Sequence, residues 1–136
     1  MKRKEARESA FLLLFEAAAR PEECGKDIYE AAVTERELPA DDYVKQVFFG
    51  VEEHKDDIEA LTDACLIGWK KNRLSTVSVA ILRLGAYEML YTKDIPAKVT
   101  INEGIELSKK YDDEKAYAFI NGVLNAMAEK TGKKDA

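Results

Sequence analysis

The chain has 136 residues and a mass of 15.3 kDa, the size of one ordinary domain. Such a length buries roughly two-thirds of its unfolded surface, so neither a disulfide nor a metal is needed for folding. Hydrophobic residues make up 46% and charged residues 35%, with a net charge of −5, a globular and not a disordered balance.

No apolar run approaches the ~18 residues of a membrane helix, and no basic-then-apolar leader precedes the first helical pattern, so a cytoplasmic protein is expected. Cys24 and Cys65 stand far apart and belong to no Cys-x-x-Cys spacing, which favours two reduced thiols. His54 is the only histidine, too few ligands for a zinc site and a poor start for a histidine-based triad. The glycine patterns that cradle phosphates are absent as well, so no metal, cofactor or catalytic residue is expected. Charge is uneven, with a net of +2 over residues 1–20, −10 over 21–66 and +3 over 67–136. The acidic middle opposes indiscriminate coating of nucleic acid, so any such binding has to be focal.

Taken in chain order, the apolar period is helical almost throughout. Ala6, Ala10, Leu13, Leu14 and Ala17 share one face of a helix over 4–19 that Pro21 ends. A shorter amphipathic stretch carries Ile28, Tyr29, Ala32 and Val33. Asp41 and Asp42 are N-cap candidates for a helix bearing Val44, Val47, Phe48 and Val51, and Asp56 or Asp57 for one bearing Ile58, Leu61, Cys65 and Trp69. Ser75 opens a helix whose run over 77–91 is interrupted only by Ser78, Arg83, Gly85 and Glu88, so neighbours are expected on most of its sides. Thr100 and Glu103 read as a capping box after the break at Asp94-Ile95-Pro96. Asp112 and Asp113 reopen the chain for a last helix with Ala116, Phe119, Ile120, Val123, Leu124 and Met127. The fold class is all-α with about seven helices, a single domain over 1–130 and a basic, flexible tail over 131–136.

Several motifs in the second half stand in a specific order. Ala80-Ile81-Leu82-Arg83-Leu84 with Tyr87-Glu88, then Ile95-Pro96, Ile101-Asn102-Glu103 with Glu106-Leu107, and Phe119-Ile120-Asn121-Gly122-Val123-Leu124 resemble the NusB family of bacterial transcription antitermination factors. The opening Arg3-Lys4-Glu5-Ala6-Arg7-Glu8 is similar to that family's arginine-rich start, and the resemblance covers essentially the whole chain. It implies two packed helical subdomains and binding of boxA-type single-stranded RNA. It also implies partnership with NusE, a small-subunit ribosomal protein, within the RNA polymerase antitermination complex that reads through terminators. Glu5 stands where relatives often have another arginine, and Ser78 replaces an acidic residue at the partner-facing surface, where Phe15 also matches.

The residues support focal RNA binding on their own terms. Arg3 and Arg7 lie one helical turn apart with Lys2 and Lys4 beside them, so several cations can converge on one phosphate run; the alternative is a solvated first turn. Tyr111, Lys115 and Phe119 flank the break before the last helix, where rings beside a cation suit unstacked bases. Phe119 also lies on the core stripe, which gives it a packing role instead. Arg83, a lone cation in an apolar helix, requires a carboxylate such as Glu88 or Glu103, or a groove edge facing RNA or a partner. Asn121 and Gly122 are read as packing residues, the glycine admitting a neighbouring helix. The alternative function is an interaction module that binds NusE with little RNA affinity, and an acid–base enzyme using its carboxylates is the remaining rival; in any of these readings the chain is a monomer or a homodimer.

Overall fold

Caps and breakers delimit the helices much as the pattern suggests. The computed structural model describes residues 1–66, 68 and 74–133, and among these it has seven α-helices and no strand. They are α1 (Arg3–Ala19), α2 (Gly25–Glu30), which runs into a π-helical turn (Ala31–Glu35), α3 (Asp42–Glu53), α4 (Lys55–Cys65), α5 (Thr76–Tyr91), α6 (Ala97–Tyr111) and α7 (Ala116–Thr131). Asp41 accepts from the Val44 amide at 3.1 Å and Ser75 from the Ser78 amide at 3.0 Å, so both act as N-caps.

Three local expectations fail because packing overrides a local signal. Asp56 and Asp57 do not cap α4; His54 closes α3 and opens α4 together, and Asp57 instead accepts from the Tyr91 hydroxyl at 3.0 Å. Thr100 and Glu103 form no capping box, because α6 begins at Ala97 after Pro96. Thr100 is buried within α6, donating to Glu88 at 2.7 Å. Residues 131–133, expected to belong to a flexible tail, are held by the fold: α7 runs to Thr131, Gly132 closes it in the left-handed region (φ 73°), and Lys133 donates to backbone carbonyls of Glu88 and Thr92. Positions 134–136, and Trp69, lie outside the described residues.

The central position expected of α5 holds. It packs against α1, α3, α4, α6 and α7, so the two helical halves share one core through it. Leu124 of α7 marks where three helices meet. A Cβ on Gly85 would lie 2.5 Å from one of its methyl groups and a Cβ on Gly104 2.6 Å from the other. The glycines that admit a neighbour are therefore Gly85 and Gly104. Gly122, expected in that role, is exposed, and a Cβ there meets nothing within 4 Å. Leu124→Ala is expected to destabilise by about 2–5 kcal/mol, because a fully buried fork leaves a cavity between rigid helices. Gly122→Ala is expected to stabilise by roughly 0.5–1 kcal/mol through helix propensity. Urea unfolding of the two variants checks both signs.

Candidate nucleic-acid interface

The start of α1 carries cations at different depths. Lys2 and Arg3 are exposed and, among the described residues, make no ion pair. The Arg3 guanidinium lies 4.1 Å from the Tyr43 ring centroid, which holds it in place without neutralising it. Lys4 is also exposed, but its ammonium is 3.4 Å from a Glu103 carboxylate oxygen. Glu5 is exposed in the first turn, where a negative charge suits the helix dipole.

Arg7 does not join this group. It is 4% exposed, one turn further along α1 between Ala6 and Ala10, which are fully buried. Its Nε donates to Glu88 Oε2 at 2.9 Å, and Nη1 is 3.7 Å from Glu103. Burial works against the Arg7 charge, yet Glu88, with Tyr43 and Glu103, holds its pKa above the ordinary value. The Tyr43 hydroxyl donates to the same Glu88 oxygen, and burial followed by that carboxylate pushes the phenol up. The expected phosphate contact at Arg7 is thus replaced by a buried ion pair that locks α1 to α5.

The same pair corrects the reading of Arg83. Glu88 and Glu103 are engaged by Arg7, and among the described residues Arg83 makes no ion pair. Five positions along a helix rotate Arg83 well away from Glu88, so the two cannot meet. Arg83 is half-buried at the rim of hollows that Ile58 and Glu59 also line, the groove-edge alternative.

Tyr111 is brought to α1 by α6. Its ring lies 5.0 Å from that of Phe11, itself 6.4 Å from Phe15, so three aromatic rings run along α1. The Tyr111 hydroxyl donates to Glu8, which also accepts from Lys110 Nζ at 2.6 Å. Hydrogen bonds from Lys110 and then Tyr111 hold the Glu8 carboxyl below its ordinary value. Lys115 and Phe119 belong to a different hollow, lined also by Leu74, Ser75, Ser78 and Asp112. There Phe119 is half-buried against the core and Lys115 is exposed, its amide donating to Asp113 at 2.9 Å. Ser78 is 3% exposed and donates to Asp112 at 3.2 Å, beside the Ser75 hydroxyl at 2.6 Å. The serine that stands for an acid thus adjoins a carboxylate from the α6–α7 turn.

Sequence reasoning missed Lys109, Lys110 and Tyr117. Tyr117 is 44% exposed, with Lys109 Nζ 5.2 Å from its ring centroid. The available signal was a tyrosine in the first turn of the last helical pattern, following a lysine pair at the end of the preceding one. Among the described residues no group of His, Cys, Asp and Glu could hold a metal, and no helix is long and apolar enough to cross a membrane.

A NusB family model matches residues 4–129, nearly all of this fold. The chain belongs to the NusB family. It is 40% identical to the transcription antitermination protein NusB of Clostridium botulinum over 96% of this chain and 100% of that protein. Against NusB of Bacillus subtilis it is 42% identical, covering 92% of this chain and 93% of the relative. Among solved structures, T. maritima NusB aligns with a TM-score of 0.84 at 35% identity, covering 96% of this chain and 92% of that one. A structure of antitermination factors NusB and NusE in complex with dsRNA aligns with a TM-score of 0.82 at 31% identity, covering 94% and 96%.

Proposed function

We propose that this chain is a cytoplasmic, non-catalytic transcription antitermination factor. It binds boxA-type RNA together with NusE and so lets RNA polymerase read through terminators in ribosomal RNA operons. The observation that carries this reading is the near-complete alignment with the NusB that was solved together with NusE and RNA.

The RNA surface in this reading begins at Lys2 and Arg3, which pair with no carboxylate among the described residues, with Lys4 partly offset by Glu103. Arg7 acts as a positioning residue: its buried pair with Glu88 fixes the angle at which α1 presents those cations. Tyr111, Lys115 and Phe119 extend the surface over α6 and α7, with phosphates setting register and exposed ring faces taking bases. NusE docks on residues that include Phe15, Ser78 and Arg83, with Asp112 supplying a carboxylate beside Ser78 and the Ser78 hollow adjoining Lys115 and Phe119 of the RNA surface. Two ligands that also bind each other raise one another's effective concentration, so a modest RNA affinity suffices.

The test is binding of a labelled boxA-like RNA with and without NusE across a salt series. Binding that tightens with NusE and weakens with salt is expected. RNA that ignores the protein while NusE still binds it would move the assignment to an interaction module.

A further inference from the structure

We propose that Tyr117 and Lys109 form a second nucleobase-stacking site, taking one unpaired base of the RNA beyond the stretch held at the start of α1. The proposal rests on the RNA-binding reading above and adds to it a residue and a direction for the strand. Tyr117 is 44% exposed, and only Met1 and Leu90 are also large, hydrophobic and exposed among the described residues. It stands in the first turn of α7, ahead of the stripe of Ile120, Val123, Leu124 and Met127 that fills the core, and at that end of the helix its ring stays exposed. An aromatic ring that helps no core is available to a partner with a π-face, and every nucleobase has one.

Lys109 supplies the second element. Its ammonium stands 5.2 Å from the Tyr117 centroid and, among the described residues, has no carboxylate partner. A long, exposed side chain of this kind can turn from the ring to the phosphate flanking a base stacked there. The site is also continuous with α1. Lys110, next along α6, lies 5.4 Å from the Tyr111 centroid and binds Glu8 of α1 at 2.6 Å. Two lysine–tyrosine pairs therefore cross the last turn of α6 from α1 to α7. The exposed Asp113 and Glu114 in the α6–α7 turn oppose a run of phosphates there, which favours a single stacked base.

The experiment compares a short boxA-like RNA with versions extended by unpaired nucleotides at either end, a fluorescent adenine analogue replacing each added base in turn. The wild type should bind one extended RNA more tightly than the short one and quench the analogue at one position. Tyr117→Ala should lose roughly tenfold in affinity for that extended RNA, the scale of one base–aromatic stack, and leave the short RNA unaffected. Tyr117→Phe should retain both affinity and quenching. Equal binding of short and extended RNA by the wild type, or undiminished quenching in Tyr117→Ala, would overturn this site while leaving the RNA reading intact. Loss of NusE binding in Tyr117→Ala would overturn it in favour of a protein contact. Failure of the wild type to bind any of the RNAs would remove both.

Discussion

Replacing Arg7 with alanine is expected to destabilise the protein by about 3–5 kcal/mol, the cost of leaving a buried carboxylate without its cation. Glu88 is fully buried and accepts from Arg7 at 2.9 Å, from Thr100 at 2.7 Å and from Tyr43. These partners come from α1, α6 and α3, so one side chain of α5 ties three other helices together. Against a total stability of order 5–15 kcal/mol, the loss of that cation removes a large fraction. Glu88→Gln should cost less than Arg7→Ala, since the amide can still accept from Thr100 or Tyr43 and Glu103, 3.7 Å away, remains beside the Arg7 guanidinium. In the double variant the two losses should fall short of additive, because the second substitution removes the charge that the first left unpaired. Urea unfolding of the two single variants and the double variant measures the coupling. A loss under about 1 kcal/mol for Arg7→Ala would mean that the pair does not hold the fold. An Arg7 variant that loses RNA binding therefore reports on folding and not on a phosphate contact.

The double substitution Lys2→Ala, Arg3→Ala should do the opposite, weakening RNA while leaving the unfolding midpoint in place. Both side chains are exposed and neither makes an ion pair among the described residues, so their loss orphans no buried group. If each neutralises one phosphate of a single strand, the slope of log affinity against log salt should flatten by roughly 1.4. Lys4→Ala should flatten it less, since Glu103 at 3.4 Å already offsets part of that charge. An unchanged slope in the double variant would place the RNA elsewhere. NusE binding measured on the same proteins separates the two contacts, because Phe15 and Ser78 are untouched by either substitution.

What was legible in the sequence is what repeats at short range. The period of α1, α3, α4 and α7, the caps at Asp41 and Ser75, and the enclosure of α5 all follow from spacings of a few residues. Motifs with fixed order and separation carried the family. The capping box at Thr100 and the packing role of Gly122 failed because identical local patterns serve different neighbours. Thr100 faces Glu88 of α5, whereas Gly122 faces no atom of the protein within 4 Å.

The sequence by itself determined that this protein is helical, where most of its helices lie and which positions form their apolar faces, because helix geometry depends on residues three and four apart. Only the tertiary structure decided which charges are free to bind. Arg3 and Arg7 share one face of α1 and look equivalent in one dimension, yet the axis of α1 carries the first in solvent and the second into the core. Glu88, the partner that decides the fate of Arg7, is 81 positions away. A helical period fixes the direction in which a side chain points, and the depth at which it ends depends on what the rest of the chain packs against it.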